Sequence, residues 1–140
     1  MRVVLDSNIF IFALRSENPL FAEILKLAGV QYGCIIPNLV LGEVVERLKV
    51  LEGKEFASFT LYLLQSLNIT IIADELIPEE LIQKYRNRGA KEGDALIAAF
   101  TEWIKADYLV TENRDFLKEI KLDFKTMCGE EFLRLLPKRK

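Results

Sequence analysis

The chain contains no histidine. That removes Ser-His-Asp and Cys-His nucleophile systems, imidazole zinc sites and paired-histidine cleavage of RNA. Cysteine is scarce as well: Cys34 and Cys128 stand far apart, match no zinc spacing and read as packed thiols. No apolar run reaches the ~18 residues of a membrane span, because charges interrupt every candidate. No glycine-rich phosphate loop comes after the first apolar run, which sets aside the common nucleotide-binding modules. An acid at position 6 breaks the pattern of a secretory signal, so a cytoplasmic protein is expected. Chemistry is left to carboxylates, hydroxyls, amides, lysines, arginines or a hard metal ion.

What remains is a single-domain length of 140 residues, 51% hydrophobic, enough for a dense core. The formal net charge of −2 does not advertise nucleic-acid binding, yet a local basic rim is compatible with it. The chain opens on Val3-Val4-Leu5, a short apolar run of the kind buried on both faces of a parallel sheet. Asp6 then stands at the carboxyl end of a central strand, where open α/β sheets bind ligands, and Asp6 or Ser7 caps the next helix. Further strands are expected at 33–36, 69–72 and 108–110, with a short edge strand at 123–125. Between them the apolar spacing predicts helices over 20–28, 38–51, 55–67, 78–88 and about 94–105, and a last one over 130–136. Leu41, Val44, Val45, Leu48 and Leu51 form the expected apolar side of the second of these. Strands separated by helices argue for a mostly parallel sheet of four to five strands, covered by helices on both faces.

Four acids lie beside apolar structure where an unpaired charge is costly. Asp6 comes after the first strand, Glu43 sits between Leu41 and Val44, Asp94 begins the Ala-Leu-Ile-Ala-Ala helix, and Asp115 lies past the fourth strand. Singly each has an ordinary reading as a cap, a solvated helix residue or a turn residue. Together they suggest a carboxylate cluster, whose mutual repulsion Mg²⁺ or Mn²⁺ relieves because hard ions prefer oxygen ligands.

These stretches resemble the PIN-domain family: Asp6-Ser7-Asn8, Glu43 in an apolar helix, Gly93 to Ala99, and Leu109 to Phe116. The likeness is strongest to the prokaryotic toxins called VapC, and Glu130-Glu131-Phe132-Leu133 is similar to that group's last helix. The resemblance implies a Rossmann-like three-layer fold, one PIN domain over 1–136 with a basic tail at 137–140, and a Mg²⁺- or Mn²⁺-dependent endoribonuclease. It implies Asp6, Glu43, Asp94 and Asp115 as catalytic and metal-binding acids. Ser7, Asn8, Thr111 and Asn113 would orient ligands or water around them. Some relatives carry an acid at the position of Asn113, which leaves the fourth place between Asn113 and Asp115. An antitoxin that blocks the site is the partner the resemblance implies, while the apolar helices from Leu39 to Leu67 exceed what one small sheet covers and point to a homodimer surface or a partner groove.

Arg86, Arg88 and Lys91 precede Asp94, and Arg114 precedes Asp115; these four are the candidate RNA phosphate contacts, with Arg15 a weaker one. Tyr62, Tyr85 and Trp103 fit helical patterns and read as packing residues. A haloacid-dehalogenase phosphatase needs an aspartate at position 8, which is Asn8 here, and a receiver domain fits poorly. Two alternatives stand beside the toxin: a PIN-like scaffold that binds RNA or protein without cutting, and an RNA-processing nuclease that is not a toxin.

Overall fold

The computed structural model describes residues 1–137, so the expected basic tail lies outside the described residues from position 138 onward. Its centre is β1 (Arg2–Leu5), in which Val3, Val4 and Leu5 have no solvent exposure. β2 (Gly33–Pro37) and β4 (Tyr108–Val110) pair with β1 on its two sides, β3 (Ile69–Ile72) lies outside β2, and β5 (Thr126–Met127) outside β4. The order is β3-β2-β1-β4-β5, and every pairing is parallel. The connections run outward from β1 in one direction and then return to run in the other. The β1–β4 boundary is therefore the switch point, and its carboxyl end opens a crevice.

The helices obey their local chemistry. Asp6 caps α1 (Ser7–Leu14), and Asn18 caps α2 (Pro19–Lys26) by accepting from the Leu20 N–H at 3.0 Å, with Pro19 in the first turn. After α2 the chain turns at Gly29, with φ of +79°; an added Cβ there would stand 2.1 Å from Asn68 Nδ2, so the turn admits only glycine. α3 (Asn38–Glu52) and α4 (Lys54–Ser66) form a hairpin broken at Gly53, and α5 (Glu79–Asn87) packs on α6 (Glu92–Trp103). The run Ala95 to Phe100 is buried except at Leu96, and its alanines let α6 approach the sheet closely. α7 (Gly129–Leu135) returns to pack on α2.

Three local expectations need correction. Residues 123–125 are not a strand of their own: the paired residues are Thr126 and Met127, and Lys125 only accepts the Leu109 N–H at 2.9 Å. A wide helical turn that sequence spacing did not suggest runs over Asp115–Glu119, closed by the Ile120 N–H on the Asp115 carbonyl at 2.9 Å. Finally, α3 buries Val40, Val44 and Leu48, whereas Leu41 and Val45 are half-buried and Leu51 is exposed. Among the described residues no helix is long and apolar enough to cross a membrane.

Candidate active site

The sheet brings the carboxyl ends of β1 and β4 side by side, and the loops leaving those two strands supply most of the site. The Asp6 N–H bonds the Val110 carbonyl at 2.9 Å, continuing the ladder by one step and fixing the Asp6 backbone. Its carboxylate is 4% exposed; one oxygen accepts the Thr111 hydroxyl at 2.7 Å and the other accepts the Ser7 N–H at 2.8 Å. Burial raises the Asp6 pKa, the bonds from Thr111 and Ser7 oppose that rise, and the charge of Asp94 adds to it.

Thr111 connects this acid to the next. Its oxygen accepts the Asn113 N–H at 2.9 Å, and the Asn113 side-chain nitrogen lies 3.5 Å from both oxygens of Asp94. The Asn113 carbonyl oxygen accepts the Asp115 N–H at 3.0 Å. Asn113 thus sits between the two aspartates as a spacer and donor, with Asp115 half-buried behind it. Asn8 holds the same loop from the β1 side, accepting the Glu112 N–H at 3.2 Å and lying 3.5 Å from the Thr111 hydroxyl.

Glu43 comes from α3, half-buried, and a Cβ added at Gly93 would stand 3.5 Å from its Oε2, so the first turn of α6 abuts it. Its Oε1 is buried and, among the described residues, has no hydrogen-bond partner. Burial, then the charges of Asp6 and Asp94, push its pKa up to about 7. The Asp94 pKa is raised by burial first and by Asp115, while Asn113 and Lys91 pull it down. The four acids are near enough to feel one another. Still, among the described residues no three Asp, Glu or Cys side chains close into a coordination shell by themselves.

That arrangement fits a hard divalent cation. Every available donor is oxygen, one buried carboxylate oxygen is unpartnered, and three acids hold protons more tightly than usual, through burial first and one another's charge second. An ion that keeps several waters suits an open set of ligands better than a closed cage.

The candidate phosphate contacts separate into two pairs. Arg86 is committed to Glu79 and Glu92, and Arg88 to Asp123 at 3.0 Å and the Lys121 carbonyl at 2.9 Å. Arg15 is likewise held by Glu17 and Glu52. Lys91 and Arg114 are exposed, have no ion-pair partner among the described residues, and line a cavity of about 540 Å³ with Asp115. A roomier hollow of about 570 Å³ lies at the other end of the strands, by Tyr108 and Lys125, and none of the four acids lines it.

Sequence spacing missed three residues here. Asp74, two residues past β3, accepts the Leu39 N–H at 3.0 Å, caps α3 and adds to the rise at Glu43; its place after a strand was the available signal. Glu112 accepts the Gly129 N–H at 2.9 Å and so pins the site loop to α7, for which no local signal exists. Arg47 stands one helical turn after Glu43, and that spacing was readable.

Comparison with known proteins agrees with this fold. A family model described as the PIN domain matches residues 3–121. A search of curated proteins found no match. Among solved structures, VapBC2 of Rickettsia felis, bound to a fragment of its promoter DNA, aligns at 24% identity with a TM-score of 0.71, covering 91% of this chain and 98% of the other. VapBC of Salmonella typhimurium, also bound to DNA, aligns at 16% identity with a TM-score of 0.73, covering 92% and 98%. VapC20 of Mycobacterium tuberculosis, a toxin that cleaves the sarcin-ricin loop, aligns at 15% identity with a TM-score of 0.63, covering 82% and 92%.

Proposed function

The chain belongs to the PIN-domain family, and from that premise we propose that it is a divalent-metal-dependent endoribonuclease, the toxin of a toxin–antitoxin pair. The observation that carries this reading is the set Asp6, Glu43 and Asp94, three acids with raised pKa values at the switch point of the sheet. Asp6, Glu43, Asp94 and Asp115 are the residues that would hold the ion. When bound there, Mg²⁺ or Mn²⁺ offsets the carboxylate charge and makes the attacking water more acidic.

The rest is done by the chain's own groups. Thr111 and Ser7 hold the Asp6 carboxylate, and Asn113 holds Asp94, so two ligands are fixed before any substrate arrives. Glu43, whose pKa burial and the charges of Asp6 and Asp94 push up to about 7, presents a buried, unpartnered oxygen toward the place where the attacking water must be held. Lys91 and Arg114 hold the RNA backbone beside Asp115. Water adds at phosphorus, the bond to one ribose oxygen breaks, and that oxygen takes up a proton.

The toxin assignment draws on the neighbours, since VapC20 of M. tuberculosis is a cleaving toxin and the others are VapBC structures. Leu51, Phe59 and Tyr62 face solvent on the α3–α4 hairpin, outside the site acids, which supports a protein interface for an antitoxin or a second copy. We place the protein in the cytoplasm on the same reading.

The test is cleavage of RNA by purified protein in Mg²⁺ or Mn²⁺. Cutting is expected to stop in chelator and in Asp6→Asn and Asp94→Asn. Cutting that survives chelation removes the metal mechanism. A folded protein that binds RNA and cuts none is a scaffold.

A further inference from the structure

The acids are flanked on two sides. Because β2 and β4 lie on opposite sides of β1, Glu43 on α3 and Asp115 after β4 mark opposite edges of the crevice, with Asp6 between them. The Asp115 edge carries the cavity lined by Lys91 and Arg114. The Glu43 edge carries a second cavity, of about 490 Å³, lined by Asn8, Ile11, Glu43, Glu46, Arg47 and Val50, with Ser7 at its acid end. The proposed reaction uses only its Ser7 and Glu43 end.

We propose that this second cavity is a nucleotide subsite for the same RNA strand, with Arg47 as its phosphate contact; the inference rests on the ribonuclease reading. Arg47 lies four residues after Glu43, so both project from one face of α3. It is exposed and, among the described residues, makes no ion pair, unlike Arg15, Arg86 and Arg88. Glu46 is its neighbour in sequence, and adjacent residues do not face each other on a helix. Ile11 and Val50 supply apolar lining, and Val50 is left 74% exposed, an apolar surface suited to the face of a base. A base on Ile11 and Val50 with its phosphate at Arg47 joins a strand whose next phosphates cross the acids and reach Lys91 and Arg114. Glu46 opposes that phosphate, so the two neighbouring residues act on RNA with opposite sign.

Binding of a fluorescent single-stranded RNA oligonucleotide across a salt series tests this, in Mg²⁺ and in an Asp94→Asn background that prevents cutting. Arg47→Ala is expected to weaken binding about tenfold and to lower the slope of log K against log salt by about 0.7, the value of one phosphate contact on a single strand. Arg47→Lys restores most of the affinity, and Glu46→Gln tightens binding about threefold, each variant melting like its parent. Arg47→Ala and Glu46→Gln binding RNA like the parent, or shifting together, overturns the subsite. So does the reverse pattern with a basic peptide, Glu46→Gln weakening and Arg47→Ala tightening its capture, which gives the cavity to a protein. A background that binds no RNA overturns it too. Cleavage by the unmutated chain is scored separately: Arg47-dependent binding without cutting keeps the subsite and sinks the nuclease, and cutting with Arg47-independent binding does the opposite.

Discussion

Two groups of three acids occupy this molecule and have opposite electrostatics. Around α5, Glu92, Glu102 and Asp123 are each met by a cation: Arg86 for Glu92, Lys84 at 2.6 Å for Glu102, and both Lys84 and Arg88 for Asp123. Arg86 holds the Glu92 pKa down, and Arg88 with Lys84 brings Asp123 down to about 2. At the crevice, burial raises Asp6, Glu43 and Asp94, and the groups that offset the rise at Asp6 and Asp94 are chiefly hydroxyl, amide and backbone donors. A chain with 19 basic and 21 acidic residues has cations enough for both places. It concentrates them around α5, and among the described residues none of the crevice acids has an ion-pair partner. The partner an acid is given, and not the number of acids in the sequence, sets its role.

The largest effect that separates the two groups is on cleavage. Asp94→Asn and Asp6→Asn should lower kcat/KM by about 10³-fold or more. Asp123→Asn should change it by less than about threefold and lower the melting temperature instead, because Lys84 and Arg88 lose their shared partner. Equal losses at Asp94 and Asp123 would break the comparison. Next in size is the response to metal measured by melting, which needs no turnover. Saturating Mg²⁺ should raise the melting temperature of the parent by roughly 5–10 °C at a hundred times its dissociation constant. Glu43→Gln should raise the melting temperature in chelator and blunt the gain from Mg²⁺. Metal that stabilises Glu43→Gln as strongly as the parent takes Glu43 out of the ligand set.

The pH dependence has opposite signs in the two groups. Glu43 is held at about 7 against an ordinary 4.5, so the folded chain binds its proton more tightly than the unfolded chain does. Stability in chelator should therefore fall as pH rises from about 5 to 7 and level off above. Discounted for the solvent that reaches this half-buried group, the share from Glu43 is about 1 kcal/mol, or roughly 3 °C, and Glu43→Gln should reduce the fall by that much, leaving the part due to Asp6 and Asp94. Asp123 runs the other way: its contribution is complete above the ordinary 3.8 and is lost as pH falls toward 2. A melting curve flat between pH 5 and 7 in the parent removes the strain assigned to Glu43.

The sequence was legible where a single element decides the outcome. Val3-Val4-Leu5 ending in Asp6 is a buried strand with an acid at its tip, and β1 has that form because its neighbours cover both faces. β3 shows the limit of that reading. Ile69-Thr70-Ile71-Ile72 is as apolar as β1, yet it lies at the sheet edge with Thr70 and Ile71 exposed, since order in the sheet is not written in the strand. β5 was displaced because two paired residues give no periodicity. In the site, the four acids were visible as strand-end and helix residues, whereas the groups that hold them were not. The Asp6–Thr111 bond spans 105 residues and the Glu112 cap on α7 joins elements that no local pattern connects. Arg86 and Arg88 look in sequence like Lys91 and Arg114, and only their neighbours tell them apart.

That last contrast gives the smallest predicted effect. Arg86 stands between Glu79 and Glu92, both well exposed, so its removal breaks surface pairs of low worth. Arg88 does more for the fold, lying 5.3 Å from the centre of the Tyr85 ring while holding Asp123 and the Lys121 carbonyl. Arg86→Ala should leave RNA affinity within about twofold and the salt slope unchanged, with a slight fall in melting temperature. Arg88→Ala should cost more stability and as little affinity. Arg114→Ala should weaken binding several-fold and lower the slope by about 0.7 while melting like the parent. A drop in slope for Arg86→Ala would mean that its carboxylate partners release it to phosphate when RNA arrives. The line between cations kept for the fold and cations kept for the substrate would then move one helix outward, from the crevice to α5.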